Sequence, residues 1–350
     1  MAYISFQPQD YFNTKLYTGN GSTNAITGVG FQPDWVWVKN RTDASTNHLV
    51  TDAVRAATKC LFPNLTNAEV TEANALQSFN SDGFTLGSDS SVNTNTKNWV
   101  SWNWRANGAG SSNTDGSITS TVSANTTSGF SIVQYTGNST SGATVGHGLG
   151  VAPKAIILKS STHAERWVVG HDGMDSSSPW NYFMHLEASD ARRTNSNRWN
   201  NTAPTSSVFT LGNEDQVNGA KTFIAYCFAE KTGFSKFGEY TGNGNADGSF
   251  IYTGFKPAFV IIKLYSTGAE NWRMFDNKRI GYNPNNYKLY PSLTSAEGTS
   301  DLIDLYSNGF KPRSTSVEFN GSGNGYIYMA FAEHPLVSSN GVPAVARWWK

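Results

Sequence analysis

The chain has 350 residues with 26 basic and 26 acidic side chains, a formal charge of zero, and only 15% charged residues. That balance argues against a nucleic-acid binder, which needs a basic surface to neutralise phosphate, and no stretch approaches an apolar membrane span, so no membrane insertion is expected. The polar surface must come from Asn, Ser, Thr and Gly, which favour turns and extended structure over helix interiors. Cys60 and Cys227 do not occupy corresponding places, so they read as independent thiols.

Residues 1–13 are an aromatic and polar arm with Tyr3 and Phe6 as candidate docking residues. The arm lacks the basic and apolar regions of a secretory leader. Residues 14–107 form a first unit. Tyr17-Thr18-Gly19-Asn20-Gly21 reads as a strand end and tight turn, and Pro33 opens a strand, Trp35-Val36-Trp37-Val38-Lys39, that is apolar on both faces and therefore central. Asn67 to Ala73 has weak helical character. The closing strand, Trp99 to Trp104, places Val100, Trp102 and Trp104 on one core-facing side.

Residues 108–128 are almost devoid of apolar side chains and read as a flexible Gly/Ser/Thr linker. The first unit's pattern then returns in residues 129–231 and again in 232–335. Tyr135-Thr136-Gly137-Asn138 leads to Pro153 and Lys159, and Tyr240-Thr241-Gly242-Asn243 leads to Pro257 and Lys263. In all three copies the lysine follows the proline by six residues, and the tyrosines recur at intervals of about 105 to 118 residues, which marks whole-domain duplication. The short junction Lys231-Thr232-Gly233 predicts that the second and third units pack more rigidly together than either does with the first. A tail, 336–350, ends in Trp348 and Trp349, which need a covering surface.

Many short strands with glycine-rich turns predict an all-β fold: three tandem β-sandwich repeats of jelly-roll or lectin type. Catalytic constellations are weak. There is no Gly-x-Ser-x-Gly elbow, the cluster of His163, His171 and His185 matches no zinc spacing, and Asp172, Asp175 and Glu187 are carboxylates that nothing ties into a glycosidase pair. No enzyme activity, metal or cofactor is therefore expected. Binding suits the composition better, because aromatic faces and polar edges hold sugars. The loops where the copies diverge supply the candidates Trp180, Tyr182, Arg198 and Trp199 in the second unit, and Asn286 and Tyr287 in the third.

The Tyr-Thr-Gly-Asn-Gly opening, the Pro33 to Lys39 strand, Ser81 to Gly87, the aromatic closing strand and the ending Ala332 to Arg347 resemble a β domain of tailed-phage virion proteins. The resemblance covers nearly the whole chain and brings no catalytic residues with it. It implies a virion protein assembled in the host cytoplasm, tail-fibre or tail-associated, that binds host-surface carbohydrate and contacts other virion proteins as a homo-oligomer, by expectation a trimer. The alternatives are a head-decoration or tail-adaptor protein with only virion contacts and, last, a polysaccharide depolymerase.

Overall fold

The structure, a computed structural model, describes residues 6–299 and 303–335. It is all-β, built of antiparallel sheets consistent with β-sandwich packing. Three main sheets share one strand order. In unit one the opening strand Phe12–Thr18 pairs with the closing strand Asn98–Trp104, which pairs with the lysine strand Trp35–Asn40 and then Leu49–Asp52. The same order joins Phe130–Thr136, Thr222–Phe228, Ala155–Ser160 and Val168–His171 in unit two. In unit three it joins Ser235–Thr241, Gly325–Pro335, Phe255–Leu264 and Arg273–Asp276.

Each lysine strand is buried on both faces, and the two faces have different neighbours. Val36 and Val38 pack under a small sheet containing Asn24–Thr27 and Gly83–Leu86. Trp35 and Trp37 turn the other way, into one cluster shared by all three units. Ala155, Ile157, Tyr226 and Phe228 enter it from unit two, and Phe259, Ile261, Met329 and Phe331 from unit three. Aromatic contacts cross every boundary there: Trp35 to Tyr226 at 4.4 Å, Trp102 to Phe259 at 5.7 Å and Phe228 to Phe331 at 5.8 Å. A buried aromatic removes roughly 150–250 Å² from water, so four tryptophans of unit one hold it to the others far more strongly than a tether would.

The boundaries form a closed ring. Lys39 Nζ donates to the Thr294 carbonyl of unit three at 3.0 Å, Lys159 Nζ to Thr66 of unit one at 3.1 Å, and Lys263 Nζ to Ser189 of unit two at 3.1 Å. Two residues beyond each lysine, the carbonyls of Arg41, Ser161 and Tyr265 accept from the backbone N–H of Glu297, Glu69 and Arg192, again across the boundary. Trp167 Nε1 reaches the Phe62 carbonyl and Trp272 Nε1 the His185 carbonyl, while His48, at the corresponding place in unit one, lies beside the Tyr290 backbone.

The recurrent Tyr-Thr-Gly-Asn stretch is a clasp inside each unit. Tyr17, Tyr135 and Tyr240 donate their hydroxyls to the carbonyls of Val92, Val217 and Phe319, just before the closing strand. The glycine admits the chain so closely that a Cβ at Gly19, Gly137 or Gly242 would sit 2.1, 2.2 or 2.4 Å from a backbone oxygen. The next residue's N–H donates to Asn93, Asn218 or Asn320 Oδ1.

Three sequence expectations need correction. Residues 108–128 are not a flexible linker. Ser111–Asn113 and Ser120–Asn125 form a hairpin that extends the unit-two sheet beyond Phe130–Thr136, with Ile118 and Val122 buried in that unit's core. Serine and threonine satisfy a sheet edge as readily as a linker, and two apolar anchors suffice where a neighbouring strand supplies the ladder. Nor is unit one more loosely attached, because its seams repeat the contacts of the third. Finally, Asn67 to Ala73 is not helical: Glu69 N–H serves Ser161 of unit two, and Val70–Thr71 pairs with Lys59 and Cys60.

Burial pulls all three lysines down to about 8, because a charged ammonium loses its water there. The unfolded value lies near 10.4, so between these limits the unfolded chain binds more protons and these groups make stability rise with pH. The buried thiols Cys60 and Cys227, pushed upward, act in the opposite sense over the same range, so the informative quantity is a difference. Urea unfolding at pH 7.5 and 9.5 should show a smaller rise, or a larger fall, in Lys159→Met than in the wild type. Identical pH dependence would contradict the assignment.

Candidate functional site

Two of the three seams contain a buried ion triad. Asp52 pairs with Arg55 at 2.6 Å, and Arg55 with Glu69 at 3.0 Å; Asp276 pairs with Arg279 at 2.6 Å, and Arg279 with Glu297 at 3.1 Å. Each aspartate also reaches into the next unit, accepting from Tyr226 Oη at 2.8 Å and from Trp102 Nε1 at 3.1 Å. Strand register puts His171 at the place of Asp52 and Asp276, since it faces Ala155 as they face Trp35 and Phe259.

Unit two changes all three members together. The arginine three residues on becomes the buried Met174, and the glutamate becomes Arg192, which makes the same backbone bond across the seam. His171 is held by Gly173 N–H at Nδ1 and contacts the Tyr328 carbonyl from Nε2 at 3.1 Å. Burial lowers it to about 4, so the imidazole is neutral and the seam needs no counter-ion.

A cleft of about 420 Å³ lies between units two and three. Asp175, Ser176 and Arg192 line it from one side, and Glu239, Thr241 and Tyr265 from the other. The Arg192 guanidinium lies 4.2 Å from the centre of the Tyr182 ring and 5.0 Å from that of Tyr265, and it is 3.5 Å from Asp175. Tyr265 Oη donates to Glu239 at 2.9 Å, and burial, with that bond, raises the phenol to about 12. Asp175 accepts from the N–H groups of Ser178 and Ser177, which hold its carboxyl down at about 2. At neutral pH the cleft thus offers fixed acceptors, a guanidinium, hydroxyls and an aromatic wall. Its mixed donors and acceptors match a polyhydroxylated ligand.

A family model matches residues 7–335 in a single span that takes in all three units; its description is a domain of unknown function, DUF7483. The chain belongs to the DUF7483 family. No curated protein and no solved structure matches it.

In this DUF7483 chain several expected binding residues are interior. Trp180 and Trp199 are buried, with their rings edge to face at 5.4 Å beneath Gly170, where a Cβ would lie 2.4 Å from Trp180. They fill the unit-two sandwich and cannot stack on a sugar. Arg198 is also buried, over the Phe183 ring at 4.7 Å and near Glu214. Tyr182 is half-buried and borders the cleft through Arg192. Asn286 and Tyr287 are half-buried in the loop that leads to Tyr290 at the unit-one seam. Phe6 packs on Tyr11 and on Phe234 of the same chain, so its docking partner is internal. Tyr3, Trp348 and Trp349 lie outside the described residues.

The candidate carboxylates are separately engaged: Asp172 pairs with Lys154 and Glu187 with Arg166, while Asp175 alone enters the cleft. His163 contacts Thr162 and His185 lies against Phe183, so neither converges with His171. Glu239 lies within a framework strand and Tyr265 directly follows another, so neither falls in the divergent loops that the sequence singles out.

Asp52→Ala should cost about 3 kcal/mol, at the low end for stranding a buried charge because Glu69 still accompanies Arg55. His171→Asn should cost only about 1–2 kcal/mol, as no charge is left behind. Denaturant unfolding measures both, and equal costs would contradict the triad replacement.

Proposed function

We propose that this protein is a non-enzymatic component of a tailed-phage particle that holds a host-surface glycan in the cleft between units two and three while contacting other virion proteins. The observation that carries the reading is the cleft. One of three seams replaces its buried ion triad, and that seam carries a cleft lined by donors, acceptors and a tyrosine. Such a set suits sugar hydroxyls, which donate and accept at once. The phage setting rests on the motif resemblance of the repeated Tyr-Thr-Gly-Asn stretch and the aromatic closing strands.

A second reading, a head-decoration or tail-adaptor protein, is favoured by a different observation. The chain closes three near-equivalent seams by itself and so offers a quasi-threefold body suited to a threefold position on a particle. On either reading a homotrimer is not required to complete these seams.

Purified protein should bind host cells saturably and slow phage adsorption. Arg192→Ala and Glu239→Gln should each weaken cell binding by about tenfold or more, the scale of one lost charged hydrogen bond, with little change in melting temperature. Cell binding that ignores both substitutions would refute the cleft, and absence of any cell binding by folded protein would favour the particle-internal role.

A further inference from the structure

The outer face of the small sheet in unit three differs from its counterparts in a way the fold does not require. Ile251–Tyr252 pairs with Gly309–Pro312, which pairs with Ile303–Tyr306. Ile251, Phe310, Ile303 and Leu305 point inward and are buried. Phe250, Tyr252 and Tyr306 point outward and are 47%, 58% and 37% exposed, with Phe250 and Tyr306 edge to face at 5.9 Å. Gly309 lies between them as a floor: a Cβ there would meet the Ile251 carbonyl at 2.1 Å.

Unit one supplies the internal comparison. Ile26 faces Phe84 and Thr27 faces Gly83, as Ile251 faces Phe310 and Tyr252 faces Gly309. Asn80 faces Gly83 as Tyr306 faces Gly309. The three outward places that hold Phe250, Tyr252 and Tyr306 in unit three therefore hold Ala25, Thr27 and Asn80 in unit one. The same scaffold closes with small and polar residues there, so the aromatics serve something outside the sheet.

The surroundings define what that is. Asp304 accepts from Tyr306 Oη at 3.0 Å and lies 3.5 Å from Arg313; Asp247 pairs with Lys311 at 2.6 Å and with Arg313 at 2.7 Å. Among the described residues these two carboxylates and two cations balance, which favours an uncharged occupant. The rings are also few. An aromatic side chain covers roughly 150–250 Å² in all and these are already about half covered, which leaves about 300 Å², well short of the ~800 Å² per partner of a stable protein interface. It is enough for one or two sugar rings.

We infer that this face is a carbohydrate-stacking platform for a neutral hexose. The C–H groups on one side of a pyranose would lie on the electron-rich face of one of these rings, with an edge-to-face neighbour walling its side, while the ring's hydroxyls meet Asp304 and Arg313 at the rim. The platform is on the opposite side of the small sheet from Tyr240, whose ring packs beneath Phe310 and whose strand borders the cleft. It is a separate site and does not depend on the cleft.

The test titrates the full chain with neutral gluco-, galacto- and manno-configured oligosaccharides, followed by calorimetry and saturation-transfer NMR. The key variant carries Phe250→Ala, Tyr252→Thr and Tyr306→Asn, the residues unit one uses at the same places, so folding should survive and a melting curve checks it. At least one oligosaccharide should bind the wild type and lose tenfold or more in affinity to the triple variant. Unchanged binding by the triple variant, or no binding by the wild type across the panel, would overturn the platform. So would a change in sedimentation between wild type and triple variant, which would make the face a protein contact. Loss only in Glu239→Gln would place the sugar in the cleft and likewise overturn it.

Discussion

A buried lysine ammonium that bonds backbone carbonyls and, among the described residues, makes no ion pair is the constraint on which the architecture turns. Lys39, Lys159 and Lys263 are each fully covered, and each spends its hydrogens on backbone carbonyls, one of them in the neighbouring unit. A buried charge is tolerable only when its hydrogen bonds are made. The three units must therefore sit so that each brings its loop carbonyl to the next lysine, and that condition closes the ring. The aromatic cluster at the centre supplies the gross attraction but little direction. The lysines, with the backbone bonds two residues further on, set the register of every seam.

Once the frame is fixed in triplicate, its departures become informative. At the unit-two seam, aspartate, arginine and glutamate give way together to His171, Met174 and Arg192. Concerted replacement is what electrostatics demands, because losing one member alone would leave a charge stranded in the interior. The result is a neutral seam next to an open polar cleft. On the small sheet of unit three, three outward places turn aromatic without any change in the strands beneath them. Both departures leave the strand pairing of the repeated framework unchanged.

Much of the framework was legible in the sequence. The alternation of Val36 and Val38 with Trp35 and Trp37 announced a strand covered on both faces, and the structure assigns one face to a local core and the other to the shared one. The lysine six residues after each proline was visible as a repeat, but its role was not, because its acceptors are carbonyls that carry no residue signature. The hairpin at 111–125 was missed for the opposite reason, since its composition is that of a linker and only the adjacent sheet edge makes it a strand. Trp180 and Trp199 misled because an aromatic residue in a divergent loop looks the same whether it lines a surface or plugs a core. The outward residues of the small sheet, by contrast, could have been found by aligning Ile26 with Ile251.

The three units form one closed body and are not beads on a linker. Differential scanning calorimetry of the full chain tests this most directly, by comparing the calorimetric enthalpy with the van't Hoff enthalpy. The ring predicts a single transition in which the two agree. A separate, earlier melting step for unit one, with units two and three still folded, would contradict it.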